Sequence, residues 1–440
     1  MVDDMGYGDP GCFNSKTLAR TPEIDAMAAG GMRFTRFYAA APVCSPTRGS
    51  CLTGRHPYRY GIYSANTGHL PREEVTISEL LKNRGYTTGH FGKWHVGTLT
   101  TTVRDSNRGG PQSKAHFSPP RWHGFDDSFV TEAKVPTFDP LLKPAQAGRI
   151  GWDALEDRSS GEAYGTRYWS HAGKEVTKNL SGDDSKIIMD RATAFIEQAV
   201  ADDSLFFTSI WLHAPHLPVV ASVQDREPWK DLTPHQRNYF GCIAALDRQV
   251  GRLRRLLRAR GVERQTIIFF CSDNGPEGNE KSPGSAGGLR GRKRSLYEGG
   301  VRVPGIVEWP GHIEAGSTTD VAAVTSDYLP TILDLTQTPI PKERPLDGVS
   351  LQSLLLGKPF TRSKPIGFQS AKQVAWHEGN LKLISQNQGR TWELYDLNAD
   401  PSETKDLATT RPEEVRRLAA ECKQWQTSCR NSDSGNDYRE

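Results

Sequence analysis

The chain has 440 residues, 36% of them hydrophobic, and its 55 basic and 52 acidic side chains leave a formal net charge of +3. This length is typical of one large domain, or of a large domain with a smaller one. The balanced charge favours no particular polyanionic partner, although local basic patches could still bind one, and we expect no nucleic-acid partner. No stretch is long and apolar enough to cross a membrane. The seven cysteines lack the spacing of a zinc site, and their spacing leaves open a disulfide between Cys422 and Cys429.

The first part of the chain begins with a polar segment and continues into helix-like and strand-like patterns. Asp3 and Asp4 begin a turn-like run that extends to Asp9. Apolar residues then recur at helical spacing after Thr21-Pro22, a dipeptide typical of a helix start. The predicted elements are a helix from Thr21 to Phe34, a helix from Val75 to Lys82 and a strand from Tyr86 to Phe91.

A stretch between these elements, Ala41 to Ser50, joins an extended run to a helix start. Ser45 is the predicted N-cap and Pro46 the first helical residue, because proline lacks the N–H that would be unpaired there. Cys44 then lies just outside a helix N-terminus, where free N–H groups favour negative charge, and Arg48 adds a positive charge one turn later. This arrangement suits an activated nucleophile, a bound anion, or both. The alternative is an ordinary capping turn with a buried thiol.

Helices and strands alternate in the second half of the chain, after an irregular segment at about 98–182. The predicted elements are a helix from Asp183 or Asp184 to Ala201, a strand from Leu205 to Trp211, a helix from Thr233 to Arg260, a strand from Thr266 to Phe270, a strand from Leu381 to Ile384 and a helix from Pro412 to Gln426. Such alternation indicates an α/β fold with a large mixed, mostly parallel sheet sandwiched by helices. The shorter strands after about Pro365 indicate a small C-terminal subdomain of an antiparallel sheet plus a helix. The expected domains are 1–360, with an insertion at about 98–182, and 361–440.

Several polar motifs follow predicted strands, at the sheet edge where α/β proteins bind ligands. Asp273-Asn274 follows one strand directly, and together with Asp3-Asp4 it offers the oxygen ligands that Ca²⁺ or Mg²⁺ prefers. Taken singly, each pair is more often a turn or a cap. Lys93 and His95 point to the same face if their segment is extended, which suits anion binding and proton transfer. The alternative there is a surface lysine beside a core histidine.

These segments resemble the signatures of the sulfatase family. Cys44-Ser-Pro-Thr-Arg48 is similar to the family's Cys-x-Pro-Ser-Arg, with Thr47 in place of the more frequent serine. Four further segments resemble family motifs and occur in the family's order: Gly92–Gly97 (Gly-Lys-Trp-His-x-Gly), His213–Pro218 (Pro-His-x-Pro), Leu289–Pro304 (Leu-Arg-Gly-x-Lys, then Tyr-Glu-Gly-Gly-x-Arg-x-Pro) and Glu393–Glu403. The resemblance therefore covers nearly the whole chain.

The resemblance implies an alkaline-phosphatase-like fold and a specific set of site residues. In the family the cysteine is oxidised to formylglycine by a formylglycine-generating or an anaerobic sulfatase-maturing enzyme, so Cys44 would be a precursor. The implied ligands of one Ca²⁺ ion are Asp3, Asp4, Asp273, Asn274 and the oxygen at position 44. The implied roles are stabilisation of the sulfuryl oxygens by Arg48, Lys93 and Lys293, protonation of the leaving alcohol by His216 with Lys293, and proton removal from the second formylglycine hydroxyl by His95.

The implied reaction is hydrolysis of a sulfate ester, with a sulfated carbohydrate as the favoured substrate and an aryl sulfate as a test substrate. The aromatic residues Trp122, Trp152, Tyr168 and Trp169 either stack on sugar rings or pack as scaffold. One alternative is a phosphomonoesterase or phosphonate hydrolase of the same superfamily. Another is a non-catalytic protein that binds sulfated glycans.

The resemblance also implies a periplasmic or secreted protein, although no signal peptide is visible in the sequence. Family members have an apolar strand directly before the pair that Asp3 and Asp4 match. We therefore expect that the N-terminus of this chain is truncated.

Overall fold

A computed structural model describes residues 1–340 and 344–438 of the chain. The helices are α1 (Pro22–Gly30), α2 (Cys44–Thr53), α3 (Ile77–Lys82), α4 (Asp184–Ala201), α5 (Val223–Arg226), α6 (Pro234–Ala259), α7 (Glu298–Val301), α8 (Tyr328–Leu335), α9 (Gln352–Leu355) and α10 (Pro412–Asp433). The strands are β1 (Met32–Tyr38), β2 (Thr87–Lys93), β3 (Asp127–Thr131), β4 (Ala145–Gln146), β5 (Trp152–Asp153), β6 (Tyr168–Ser170), β7 (Glu175–Val176), β8 (Phe206–Trp211), β9 (Ile268–Cys271), β10 (Arg302–Glu308), β11 (Ser317–Thr319), β12 (Ala323–Val324), β13 (Ile366–Ser370), β14 (Gln373–Glu378), β15 (Leu381–Ser385) and β16 (Glu393–Asp396).

Two mixed sheets form the centre of the molecule. One has the order β11-β1-β10-β9, with β12 beside β1, and the other has the order β7-β6-β3-β2-β8. Strands β3 and β8 run parallel to β2, whereas β10 runs antiparallel to both β1 and β9. Residues Met1 to Asp3 lie between β8 and β9 and join the two sheets, because the backbone of Met1 bonds to Ile210 and Leu212 and that of Val2 bonds to Cys271 and Asp273.

Helices cover both faces of this joined sheet. Side chains of α1, α4 and α6 pack on one face, and those of α2, α3 and α8 pack on the other, each with its own apolar cluster. The long helices start where the sequence predicts. Asp183 caps α4, and Thr233 and Gln236 form a capping box at the start of α6.

The C-terminal part is an antiparallel sheet in the order β13-β14-β15-β16, and α10 packs against it. Lys382 of β15 anchors this sheet to the main body, because its Nζ lies 2.8 Å from Glu298 Oε1 and 2.9 Å from Glu403 Oε1. The predicted α/β architecture with a small antiparallel sheet plus a helix is confirmed. The division into domains at residue 360 stays a prediction.

Three local predictions are wrong. The helix predicted for Thr21 to Phe34 ends at Gly30, because Gly31 is extended and the alternating residues that follow form β1. Helix α2 begins at Cys44 with Val43 as its N-cap, so Ser45 lies in the first turn and does not cap it. The segment 98–182 is not wholly irregular, since β3 and β6 extend the central sheet.

All seven cysteines are free thiols, so Cys422 and Cys429 do not pair. Within residues 1–340 and 344–438, no helix combines the length and apolar character that a bilayer crossing requires.

Candidate active site

Cys44 occupies the first turn of α2 and is buried. The Thr47 side chain fixes this turn, since its hydroxyl donates to Ala41 O at 2.9 Å and accepts from Ala41 N at 3.2 Å. The Cys44 Sγ donates to Asp3 Oδ1 at 3.5 Å. The fold therefore brings the Cys44 thiol next to the acidic residues that follow the N-terminal segment between β8 and β9.

The four predicted metal ligands converge at the ends of two adjacent strands. Asp3 and Asp4 follow the short extended segment at the N-terminus, and Asp273 and Asn274 follow β9 beside it. Asp4 N donates to Asp273 Oδ1 at 3.2 Å, and Asn274 Nδ2 donates to Asp4 Oδ1 at 2.7 Å. All four side chains are buried.

Three buried cations surround these carboxylates. Lys93 Nζ lies 2.5 Å from Asp3 Oδ2, and Lys293 Nζ lies 2.5 Å from Asp4 Oδ1. The Arg48 guanidinium donates to Asp273 Oδ2 at 2.7 Å and lies 3.4 Å from Asp3 Oδ2. The site thus pairs three carboxylates with three cations, an arrangement suited to holding a metal ion and a tetrahedral anion side by side.

The two predicted catalytic histidines have different partners. His216 Nε2 is 3.7 Å from Asp4 Oδ2, and its Nδ1 is 2.6 Å from Leu217 O. His95 Nε2 instead contacts Asn66 Oδ1 at 2.8 Å. His213, three residues before His216, belongs to a separate buried network in which its Nδ1 lies 2.7 Å from Asp184 Oδ2.

Strained backbone angles occur at three residues of this site. Asp4, His95 and Arg294 have φ angles of 65°, 58° and 75°, a region that residues with a Cβ seldom adopt. Gly92 has a φ of 107°, and a Cβ there would lie 2.0 Å from Trp211 O. The glycine therefore allows the Lys93 end of β2 to run close to β8.

Burial and charge set the pKa values of the acidic groups. Burial, and then the negative charge of Asp3, raises the pKa of the Cys44 thiol, so this thiol is protonated at neutral pH and is not an activated thiolate. Burial also acts to raise the pKa of Asp3, but Lys93, His216 and Arg48 together hold it well below its ordinary value. Burial raises the pKa of Asp4 to about 6, although Lys293 opposes the shift.

Comparison with known proteins assigns this arrangement to a family. A family model described as Sulfatase matches residues 1–338, and one described as N-sulphoglucosamine sulphohydrolase, C-terminal, matches residues 291–428. The chain belongs to the sulfatase family. N-acetylgalactosamine-6-sulfatase of Rattus norvegicus is 30% identical over 434 residues, or 94% of this chain and 76% of that protein. Arylsulfatase A of Homo sapiens is 35% identical over 374 residues, or 81% of this chain and 66% of that protein.

A solved structure agrees with this assignment. Ps i-CgsB, crystallised in complex with k-i-k-neocarrahexaose, has a TM-score of 0.82 and 25% sequence identity, and the match covers 100% of this chain and 95% of that one. The sulfatase is thus a sulfuric ester hydrolase with the alkaline-phosphatase-like fold. The predictions of family, fold and enzyme class are confirmed.

The oxygen-rich part of the sulfatase site fits a calcium ion. Two buried oxygens of this site, Asp4 Oδ2 and Asn274 Oδ1, have no hydrogen-bond partner among the described residues. Ligand atoms of Asp3, Asp4, Cys44 and His216 lie within 4.8 Å of one another. Unpartnered buried oxygens are costly, and carboxylate and amide oxygens are the donors that Ca²⁺ prefers. A thiol such as that of Cys44 is a poor donor to this ion.

The structure separates the aromatic residues considered for sugar binding. Tyr168 and Trp169 are buried in β6, where Tyr168 stacks on Phe129 and Trp169 Nε1 donates to Asp105 Oδ2 at 2.6 Å. They are scaffold. Trp122 and Trp152 are half-buried, and sugar stacking stays a prediction for both.

Two residues near the site carry no motif that the sequence analysis uses. Trp211 lies under Arg48, whose guanidinium carbon is 5.2 Å from the ring centroid, and Asn66 holds His95. Trp211 ends the predicted strand before His213, so its position was a usable signal. Asn66 lies in a polar loop with no motif around it.

Proposed function

We propose that this sulfatase hydrolyses sulfate esters of carbohydrates through a formylglycine made from Cys44, with one bound Ca²⁺ ion. The contact between Cys44 Sγ and Asp3 Oδ1, inside a cluster of three carboxylates and three cations, is the observation that carries the proposal. The raised pKa of the thiol supports a precursor over a thiolate nucleophile.

The residues that would hold the ion are Asp3, Asp4, Asp273 and Asn274, together with the oxygen at position 44. Bound Ca²⁺ supplies positive charge that favours an ionised oxygen at this place. Hydrated formylglycine supplies two hydroxyl groups, one to attack sulfur and one to allow release of sulfate. The substrate sulfate lies against Arg48, Lys93 and Lys293, whose charges stabilise the negative charge that grows on its oxygens.

The two histidines act as proton donor and proton acceptor. The position-44 hydroxyl that attacks sulfur would give its proton to Asp3, the carboxylate that accepts from the donor at this position. As its oxygen bonds to sulfur, the bond from sulfur to the leaving oxygen breaks, and His216 donates a proton to that oxygen to form the alcohol. His95 then accepts the proton of the remaining hydroxyl, the bond from the position-44 carbon to the sulfate oxygen breaks, and inorganic sulfate leaves. The aldehyde is restored and takes up water before the next turnover.

Cys44→Ala tests the role of position 44, with Cys51→Ala in the same helix as a matched control. Both thiols are buried, but Cys51 belongs to the apolar cluster beneath the sheet. Sulfate release is measured on protein produced together with a maturing enzyme. We expect Cys44→Ala to lose activity by a factor of at least about 10³, and Cys51→Ala to stay close to the parent. Equal activities of the two variants would refute the proposal.

A substrate panel tests the ester class. We expect turnover of a sulfated hexosamine and of an aryl sulfate to exceed that of the matching phosphate and phosphonate esters. The names of the rat relative and of the bound ligand in Ps i-CgsB support a sugar substrate. A preference for phosphate would favour a phosphomonoesterase, and binding without turnover by matured protein would favour a glycan-binding protein.

The proposed compartment is the periplasm or the extracellular space. Its support is the family resemblance. The maturing enzyme, of the formylglycine-generating or the anaerobic type, is the proposed protein partner of the newly made chain.

A further inference from the structure

The His95 ring contacts a pair of asparagine side chains that come from two different loops. Its Nε2 lies 2.8 Å from Asn66 Oδ1, and Asn107 Nδ2 donates to the same oxygen at 3.0 Å. The other ring nitrogen, His95 Nδ1, is buried and has no hydrogen-bond partner among the described residues. The two nitrogens therefore differ in their surroundings, since one lies beside an amide oxygen and the other lacks a protein partner.

The first loop, residues 64–69, is joined to the segment that carries His95. Asn66 has a φ of 64°, a left-handed angle that asparagine adopts more readily than most residues. At the end of the loop, Leu70 N donates to Val96 O at 2.7 Å. Because Val96 directly follows His95, this bond keeps the Asn66 amide close to the histidine ring.

The second loop, residues 105–109, is fixed by the residue that follows Asn107. The Arg108 guanidinium donates through Nη1 to Gly68 O in the first loop and through Nε to Glu132 Oε1 at 3.2 Å. Arg108 and Glu132 are buried, whereas Asn66 and Asn107 are exposed. The buried ion pair thus joins the two loops and places the Asn107 amide beside that of Asn66.

These hydrogen bonds select one tautomer of the His95 ring. A neutral imidazole carries its proton on one nitrogen and a lone pair on the other. The ring is neutral because its burial and the nearby charge of Lys93 hold its pKa well below the ordinary value. Asn66 Oδ1 can only accept, and the bond from Asn107 keeps this oxygen turned toward the ring, so Nε2 carries the proton. The lone pair then lies on the buried Nδ1, an acceptor that is costly to leave without a donor.

We propose that Asn66 and Asn107 are positioning residues that hold His95 in the tautomer protonated at Nε2, which makes Nδ1 the nitrogen that accepts the proton of the second formylglycine hydroxyl. This inference rests on the proposed function. In the step concerned, the O–H bond of the hydroxyl breaks and its proton binds Nδ1. The electron pair of that bond forms the C=O bond of the aldehyde, and sulfate leaves with the electron pair of its bond to the position-44 carbon. Asn66 Oδ1 still accepts from Nε2 and stabilises the imidazolium that results.

Nitrogen NMR on the unmodified chain, labelled at histidine, tests the tautomer without any turnover. The variant His95→Gln assigns the resonances. We expect the Nδ1 resonance of His95 in the range of an unprotonated ring nitrogen, and the Nε2 resonance in the range of a protonated one. Asn66→Gly removes the acceptor at a backbone angle that glycine adopts freely. It should move the Nδ1 resonance toward the protonated range, because a neutral imidazole without a partner populates both tautomers.

Kinetics of the matured protein with an aryl sulfate test the consequence. Asn66→Gly should lower kcat at least about 10-fold and change KM less than about 3-fold. A burst of the aryl alcohol should precede the slow turnover, because His95 acts after that alcohol has left. Asn66→Asp keeps an acceptor oxygen and should recover most of the rate. Thr67→Ala is the matched control in the same loop, since the exposed Thr67 hydroxyl bonds to Ser64 Oγ, and it should match the parent.

A protonated Nδ1 in the parent chain, or an Nδ1 resonance that Asn66→Gly leaves unchanged, would overturn the inference. Equal kinetic effects of Asn66→Gly and Thr67→Ala would also overturn it. A matured parent chain that releases no sulfate would refute the proposed function, whereas the NMR result on the unmodified chain decides the tautomer by itself.

Discussion

Lys382→Met should cost the sulfatase a large part of its stability. Lys382 Nζ lies 2.8 Å from Glu298 Oε1 and 2.9 Å from Glu403 Oε1, and all three side chains are at most 1% exposed. Methionine fills a similar volume but leaves two carboxylates buried without their shared cation. Removing one partner of a buried ion pair costs about 3–5 kcal/mol. A folded domain has a free energy of unfolding of about 5–15 kcal/mol, so the loss would be readily measured.

Urea unfolding followed by tryptophan fluorescence measures this loss, because Trp376 lies in β14 and Trp425 lies in α10, which packs against the C-terminal sheet. Lys372→Met is the matched control, since Lys372 is exposed at the turn before β14. The variant Lys382→Met/Glu298→Gln, which removes one of the two stranded charges, should recover part of the stability. A loss below about 1 kcal/mol for Lys382→Met would refute the reasoning, because exposed pairs already contribute that much.

Three further predictions concern pH, metal binding and the backbone. Burial alone would raise the pKa of Glu298, but Lys382 and Arg302 lower it to about 2, below its ordinary value of 4.5. The stabilisation that the ionised Glu298 carboxylate provides is therefore complete above pH 4.5 and is lost as the pH falls toward 2. The free energy of unfolding of Glu298→Gln should fall less steeply than that of the parent over this pH range. Asn274→Ala removes an oxygen ligand and should weaken Ca²⁺ binding at least about 10-fold by calorimetry, whereas unchanged affinity would exclude Asn274 as a ligand. Gly92→Ala places a Cβ on a residue with a φ of 107° and against the Trp211 carbonyl oxygen. This substitution should lower the free energy of unfolding by at least about 1–3 kcal/mol in the same urea assay.

The candidate site was predictable from the sequence because its polar residues follow strands directly. Asp273 and Asn274 come after β9, and Lys93 ends β2, so the topology of an α/β sheet brings them to one edge. The pairing among them was not predictable. Whether Lys93 contacts Asp3 or another carboxylate depends on side-chain positions that only the folded chain defines.

The wrong predictions of local structure have physical causes that cannot be read from a local sequence pattern. The helical spacing of apolar residues continues through Gly30, but the residues that follow form β1, because β10 and β11 pair with the two edges of this strand. Likewise, Tyr168 and Trp169 could face a sugar or a core, and the pairing of β6 with β3 places them in the core. The start of α2 shifted to Cys44 because Thr47 closes the preceding turn through Ala41.

The mass of the tryptic peptide from Phe37 to Arg48 tests the central claim most directly. The protein is produced together with a sulfatase-maturing enzyme, and sulfate release from a sulfated hexosamine is measured on the same sample. We expect the aldehyde mass at position 44, with activity proportional to the modified fraction across preparations. A preparation that carries only the native Cys44 thiol and still releases sulfate at the full rate would contradict the account.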